Sequence, residues 1–460
     1  MSTFSSILNI GRSALQTQQK AITVTGNNIA NVNTPGYTRQ RVELANDVAV
    51  DSTPGQMGGG VKVTEVRRLY DRFITGEIRG ESQELGEWEA RKQVQDRLEV
   101  VFNETDDDGL NKAMSEFWNA WQDLAENPGG TVERANLVSR AQDMTDRFRN
   151  MADDLDSIAS EVEGRIDQAV SDINETALEI ARLNKDIRRA ENLGQTPNDL
   201  KDQRDEALKK LSGLADVSVS ENGSVIDVTL GGETLVDGDT AWELSYDGSD
   251  FAVTDPGSGT STPIAHDDID SGTLGGLLTM KNDVIPDYRN RLDDMALTVI
   301  NEVNAQHAAG RGLDNTTGVA FFDSATATPA ADMRVSQNIV DDPRLIAAAG
   351  AAESPPGGSG NALAIADLAY RPTMSGGTET FSDYYTGLVA DVGNDTRGAD
   401  SRYELQQTSM MQLEAYREEV SGVSLDEEMV NLVQFQNAYA AAAKLISTTD
   451  EMLDTLVNMV

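Results

Sequence analysis

Ser6 to Arg39 reads SILNIGRSALQTQQKAITVTGNNIANVNTPGYTR. Leu8, Leu15, Ile22 and Ile29 recur every seven residues, with Ile7, Ala14 and Ala21 beside them. That spacing predicts a helix with a narrow apolar seam, as in a coiled coil. The run stops at ANVNTPGYTR, Ala30 to Arg39. Asn31 and Asn33 tolerate irregular backbone, Thr34 is pushed out of helical geometry by the proline after it, and Pro35-Gly36 before Tyr37 is a strong turn signal. The element therefore ends the helix and re-aims the chain.

The far end repeats the device. Leu425, Leu432, Tyr439, Ile446, Leu453 and Val460 are again spaced by seven, with Phe435, Ala442 and Leu456 beside them. The two ends carry opposite charge. No acidic residue precedes Glu43, whereas Asp426, Glu427, Glu428, Asp450, Glu451 and Asp454 stand against a lone Lys444 in the last segment. Each stripe packing on the body of its own subunit is the plainer reading. Heptad helices of opposite charge at both extremities instead predict an intrachain pair, Arg12 and Lys20 complementing the acids, that then packs on neighbouring subunits. Burying an aliphatic side chain yields about 1.5–3 kcal/mol, and ordering each residue costs about 1–2 kcal/mol. Before Asn33 and after Leu425 the free chain is therefore expected to be loose, ordering on assembly.

Between them, Arg41 to Leu44 and Val61 to Val66 read as strands separated by glycine turns. Val132 to Glu191 carries apolar groups at alternating three- and four-residue spacing, from Leu137 to Ile187. At roughly 1.5 Å per residue that helix is a shaft of about 90 Å. Pro197 opens a second helix, Asn198 to Leu211. Val217 to Pro263 then alternates strand-like runs with hairpin turns at Asn222-Gly223 and Asp237-Gly238. Helix returns from Leu274 to His307, with a kink or break at Pro286, and Ala347 to Gly360 reads as a mobile loop. The fold class is mainly α with β. Three parts are expected: 1–70 plus 400–460, the paired terminal coiled-coil helices with their turn and strands; 71–213 plus 274–399, a long-helix body with short strands; and 214–273, a small β-rich outer domain.

The 460 residues include 37 Lys and Arg against 77 Asp and Glu, a net charge of −40 that repels phosphate backbones and anionic lipid. Nucleic acid and membrane partners are disfavoured. The absence of cysteine removes disulfides, thiolate catalysis and the usual zinc sites. Glu104 to Glu116 imitates a calcium loop through Glu104, Asp106, Asp108 and Gly109, but Ser115 stands where the bidentate glutamate belongs. The glycines at 58 to 60 lead into a strand and lack phosphate-loop spacing. His266 and His307, the only histidines, offer neither a paired metal site nor a conventional triad. No catalytic residue, metal ligand or cofactor is assigned. Met1 to Asn9 lack the basic start and apolar core of a cleavable secretory signal.

ANVNTPGYTR after a heptad helix, together with SGVSLDEEMVNLVQFQNAYAAAAKLISTTDEMLDTL, Ser421 to Leu456, resembles the flagellar axial proteins, the rod, hook and hook-associated family. Four middle segments resemble the hook-associated protein 1 branch: FWNAWQDLAENP at Phe117, LKDQRDEALKKL at Leu200, GTLGGLL at Gly272 and NEVNAQHAAG at Asn301. One departure is a short stretch to Asp332 after Ala320-Phe321-Phe322, where many members carry a large further domain.

The resemblance implies a structural, non-enzymatic subunit of the hook–filament junction of the bacterial flagellum, secreted unfolded through the flagellar type III export apparatus. A dedicated cytosolic export chaperone would hold it beforehand. Its neighbours would be copies of itself, hook protein and hook-associated protein 3. The assembly interface is assigned to Leu8, Leu15, Ile22, Ile29, Asn31, Thr34, Pro35, Gly36, Tyr37, Leu425, Leu432, Tyr439, Ile446 and Leu453. A hook or distal-rod subunit is the alternative within the same class, and a cell-wall enzyme the alternative outside it.

Overall fold

A computed structural model describes residues 2–52, 55–103, 109–324 and 326–458. The first five positions of the calcium-loop imitation, Glu104 to Asp108, and the last heptad position, Val460, lie outside the described residues. Helix takes 66% of the chain and strand 12%, the mainly α class with β that the periodicities predict. The helices are α1 (Ser2–Ala30), α2 (Arg72–Phe102), α3 (Leu110–Glu126), α4 (Thr131–Asn192), α5 (Asn198–Leu214), α6 (Gly272–Thr279), α7 (Ile285–Ala309), α8 (Pro329–Asp332), α9 (Gln337–Asp341), α10 (Gly360–Ala366), α11 (Phe381–Ser421) and α12 (Leu425–Asn458). Two units emerge: Met1–Gly86, Ala169–Gly272 and Leu405–Val460 form the first, Glu87–Gln168 and Thr273–Glu404 the second.

In the first unit, α1 and α12 lie side by side. The strands predicted from Arg41 and Val61 are β1 (Gln40–Asn46) and β4 (Val61–Arg68), antiparallel from Gln40↔Arg68 to Asn46↔Val61 with a bulge between Glu43 and Leu44. Between them a small hairpin, β2 (Val50–Ser52) with β3 (Gly55–Met57), forms where only turns were predicted. The β-rich module holds two antiparallel sheets. β5 (Val217–Asn222), β6 (Val225–Leu230), β7 (Glu233–Asp237) and β8 (Thr240–Ala241) make one; β9 (Glu243–Tyr246), β10 (Phe251–Thr254) and β11 (Ser261–Ile264) make the other. Both predicted hairpin turns appear, with Gly223 and Gly238 at φ +65° and +56°, the left-handed geometry that tight hairpins require. Asn184, buried on α4, docks the module. Its Nδ2 donates to Ile226 O and Gly238 O, both at 2.7 Å, and its Oδ1 accepts from Ile226 N at 3.1 Å.

In the second unit, Leu137, Ala141, Met144, Phe148, Leu155, Ile158, Val162 and Ile166 of α4 are buried at the spacing read from sequence. The FWNAWQDLAENP segment places Phe117, Trp118 and Trp121 in a buried aromatic cluster with Phe321, Phe322, Phe381 and His307. Pro286 sits in the first turn of α7, directly after a turn of π-helix, Met280–Val284. A proline cannot donate its missing N–H and crowds the preceding turn, and the widened turn absorbs that without a break. The Ala347-to-Gly360 reading is corrected at its start. Ala347, Ala348 and Ala349 are core residues, pinned through Asn361 Nδ2 to Ala347 O at 2.7 Å and Ala347 N to His307 Nε2 at 2.9 Å.

Candidate assembly site

At the end of α1, Asn31 Nδ2 donates to Asn27 O at 3.0 Å and Thr34 Oγ1 to Asn31 Oδ1 at 3.1 Å. Tyr37 N donates to Thr34 O at 3.2 Å, closing a four-residue turn with Pro35 second and Gly36 third at φ +76°. Proline then glycine with positive φ is the type II signature, which explains the TPGY order. Pro35 and Thr34 are exposed, and the chain returns alongside α1.

Asn28 stands at the centre of a polar clasp between the two ends of the chain. Its Nδ2 donates to Gln40 O at 2.9 Å and to Glu428 Oε2 at 3.0 Å, and its Oδ1 accepts from Tyr37 Oη at 2.9 Å and Gln40 N at 3.0 Å. All four hydrogen-bonding positions of the amide are used. Glu428 lies in the first turn of α12, where backbone N–H groups favour a carboxylate. Arg39 donates from Nε to Glu428 Oε1 at 2.8 Å and from Nη1 to Glu427 Oε2 at 2.6 Å, while its backbone N donates to Ser421 O at 2.8 Å. Burial works against the Arg39 guanidinium, but the two carboxylates outweigh it and hold its pKa above the ordinary value. Burial, with Asp199, Asp202 and Glu428 nearby, pushes the Tyr37 phenol well up, so it stays a donor to Asn28.

A second clasp reaches α5 and uses the LKDQRDEALKKL segment. Thr38 donates to Asp202 from N at 3.0 Å and from Oγ1 at 2.6 Å, and Arg68 bridges Asp202 at 2.8 Å and Asp205 at 2.6 Å. Burial raises both carboxyls against the pull of Arg68, while the same carboxylates keep Arg68 firmly protonated despite burial. Gln40 Nε2 to Asp199 at 2.7 Å and Asn198 Nδ2 to Val66 O at 2.7 Å complete the contact. The two terminal signatures and this body segment thus meet at one place.

The helical pair is antiparallel: Gly11 packs on Ile446 and Ala442, and Asn28 on Glu428. Its fully buried positions are not the heptad aliphatics. They are Gly11, Thr17, Ala21, Thr25 and Asn28 on α1, and Glu428, Ala442 and Thr449 on α12. Small residues let the backbones approach; a Cβ at Gly11 would stand 2.7 Å from Ile446 Cγ1. Leu8, Leu15, Ile22, Ile29, Leu432, Ile446 and Leu453 are half-buried, and Leu425 and Tyr439 exposed. The charge reading also needs correction. Arg12 and Lys20 are exposed beside β4, and the cation that meets the acidic start of α12 is Arg39, which the turn swings into reach. Sequence reading assigns no role to Asn28 or Arg39 and takes Glu428 only as one of several acids facing Arg12 and Lys20, although all three lie in or beside the two terminal motifs.

A chain whose two ends close on each other through a polar clasp and carry their large apolar groups half open is built as a subunit of an assembly. Comparison with known proteins makes the class specific. Residues 95–322 match the flagellar hook-associated protein FlgK helical domain, 8–38 the flagella basal body rod protein, and 416–459 the flagellar basal body rod FlgEFG protein C-terminal region. Flagellar hook-associated protein 1 of Bacillus subtilis is 31% identical over 98% of this chain and 97% of its own length. That of Escherichia coli is 26% identical over 99% and 100%. The solved flagellar hook junction protein FlgK from Burkholderia pseudomallei shares the fold, with a TM-score of 0.67 at 16% identity over 75% of this chain and 100% of that one. The chain belongs to the flagellar hook-associated protein 1 family. It is accordingly a structural protein of the flagellar hook–filament junction.

Proposed function

We propose that the α1–α12 pair, with the clasp at its base, is the element through which copies of this chain build into the flagellum, and that the chain has no enzymatic role. Support comes from the face the pair leaves open: Met429, Val430, Val433, Leu445 and Met452 are large apolar side chains standing exposed along α12. So long an apolar surface marks an interaction face. On this reading Leu8, Leu15, Ile22, Ile29, Leu432, Ile446 and Leu453 divide their area between the intrachain partner and a neighbour. Leu425 and Tyr439 serve neighbours, and Asn31, Thr34, Pro35, Gly36 and Tyr37 set the angle of the pair.

The three-part division fits this role, with 1–70 plus 400–460 inside, 71–213 plus 274–399 as the body and 214–273 facing out. The chain would be exported unfolded by the type III apparatus after release from its cytosolic chaperone, to sit outside the cell between hook protein and hook-associated protein 3. A strain lacking the chain should keep its hooks, lose its filaments and shed filament subunits into the medium. The full chain should restore filaments, and a version lacking both terminal helices should not; filaments on that shortened version would overturn the proposal. Loss of the hook itself would indicate a hook or rod subunit, and a cell-wall defect an enzyme.

A further inference from the structure

Arg12 and Lys20 are exposed on α1, and neither forms an ion pair among the described residues. With Lys62, whose nearest acid is Asp47 at 3.9 Å, they line a groove between α1 and β4. The groove is built: Thr17 Oγ1 donates to Val61 O at 3.3 Å across its floor. Gly60, at φ +109°, lies so close that a Cβ would stand 2.4 Å from Ser13 Oγ. Its wall includes Val48, 77% exposed.

The far end of α12 is the reverse of this surface. Asp450, Glu451 and Asp454 are exposed without a cation partner among the described residues, and Met452, Leu456 and Val457 are exposed among them, Val457 at 74%. Two copies of a chain of charge −40 repel at long range, and a place where the sign inverts offsets that repulsion locally. The segment before Glu43, holding Arg12, Lys20, Arg39 and Arg41 and no acid, is that place, and Arg39 is already committed to Glu427 and Glu428.

We propose that the acidic, apolar tip of α12 in one copy seats in the Arg12–Lys20–Lys62 groove of the next copy, its carboxylates on the cations and Leu456 and Val457 against Val48. The inference rests on the reading that the terminal pair is the assembly element, and adds which surfaces meet. Groove and tip are different surfaces, so each copy gives one and receives one, and the contact propagates from subunit to subunit.

The test uses the full chain in a strain lacking its own copy. Arg12→Glu with Lys20→Glu, both exposed and so compatible with folding, should lower the fraction of hooks bearing filaments about tenfold, because like charges then face each other. Adding Asp450→Lys and Asp454→Lys to the same chain should bring it back to within about twofold. The chain has no cysteine, so Lys20→Cys and Asp454→Cys placed in separate co-produced copies should yield a disulfide-linked dimer in isolated flagella that neither copy yields alone. Full incorporation of the groove reversal, failure of the second reversal to restore it, or absence of the mixed cross-link from filament-bearing flagella would each overturn this contact. All three leave the broader assembly reading standing; that reading falls only if the chain shortened at both ends still supports filaments.

Discussion

The amide of Asn28 donates to the carboxylate of Glu428 at 3.0 Å, across 400 residues of chain. Because Asn28 also serves Tyr37 and both backbone groups of Gln40, replacing it by Ala strands a phenol, an amide and a carboxylate together. Each unsatisfied buried group costs about 1–3 kcal/mol, and partial access of water at Tyr37 reduces the sum, so a loss of about 2–4 kcal/mol is expected for closing this site. Tyr37→Phe, which removes the 2.9 Å bond to Asn28 Oδ1 and the longer one accepted from Asn27 Nδ2 at 3.3 Å, should cost about 1 kcal/mol. Exchange at the Gln40 amide reads both, and equal effects of the two substitutions would contradict the central place given to Asn28.

Arg39 holds two glutamates of very different exposure, Glu427 at 64% and Glu428 at 2%. An exposed pair is worth roughly 0–1 kcal/mol, whereas removing one member of a buried pair costs about 3–5 kcal/mol by leaving the other charge uncompensated. Glu427→Ala should therefore be nearly silent, and Arg39→Ala severe. A double-mutant cycle of Arg39 with Glu428 should show coupling well above that of Arg39 with Glu427.

In the second unit, His307 is fully buried, with Nδ1 at 2.7 Å from Val319 O and Nε2 accepting from Ala347 N at 2.9 Å. One partner accepts and the other donates, which fixes the neutral ring with its proton on Nδ1. Burial, reinforced by Arg134, pushes its pKa down to about 4. The unfolded chain, titrating near the ordinary value of 6.5, binds the proton more readily than the folded one between those limits. The resulting stability is fully present above about pH 6.5 and is lost as pH falls toward 4, a total of about 3 kcal/mol. Urea unfolding followed by Trp121 fluorescence, whose ring lies 6.1 Å from the imidazole, in a chain whose Trp88, Trp118 and Trp242 are replaced by Phe, should show this slope. Subtracting His307→Gln isolates it from the carboxylates, and a slope unchanged in that variant would refute it.

What sequence made legible is what repeats. The 62-residue α4 and the two terminal helices announce themselves through large aliphatics at fixed spacing. Hairpin glycines did the same for the β-rich module. The seam of the pair did not, because Gly11, Thr17, Ala21 and Thr25 are small and carry no hydrophobic signal, while Leu8 and Leu15 remain half open. Nor did the clasp: Asn28 and Arg39 acquire meaning only once the turn at Pro35-Gly36 brings them to a carboxylate at the opposite end of the chain. Ala347 to Ala349 were misread for a related cause. The glycines that follow suggest a loop, and what holds the alanines is backbone bonding to His307, Asn361 and Arg311.

The clasp also changes where the free chain should be ordered. At the base of the pair, Asn28, Arg39 and Glu428 supply charge-assisted bonds among buried groups, each worth about 1.5–3 kcal/mol. Toward the far end, the pair has half-buried Leu8, Leu15 and Leu453, and Met452, Leu456 and Val457 are open to water. Such partial burial returns less than the 1.5–3 kcal/mol of a fully buried aliphatic, against about 1–2 kcal/mol of backbone entropy for every residue fixed. Amide exchange in the isolated chain should therefore be slow around Asn28 to Gln40 and at Glu428, and quicken outward along both helices. In flagella the gradient should vanish, since neighbours cover the open face. Uniform strong protection out to Leu8 and Leu453 in the isolated chain would mean that the pair needs no neighbour to hold it.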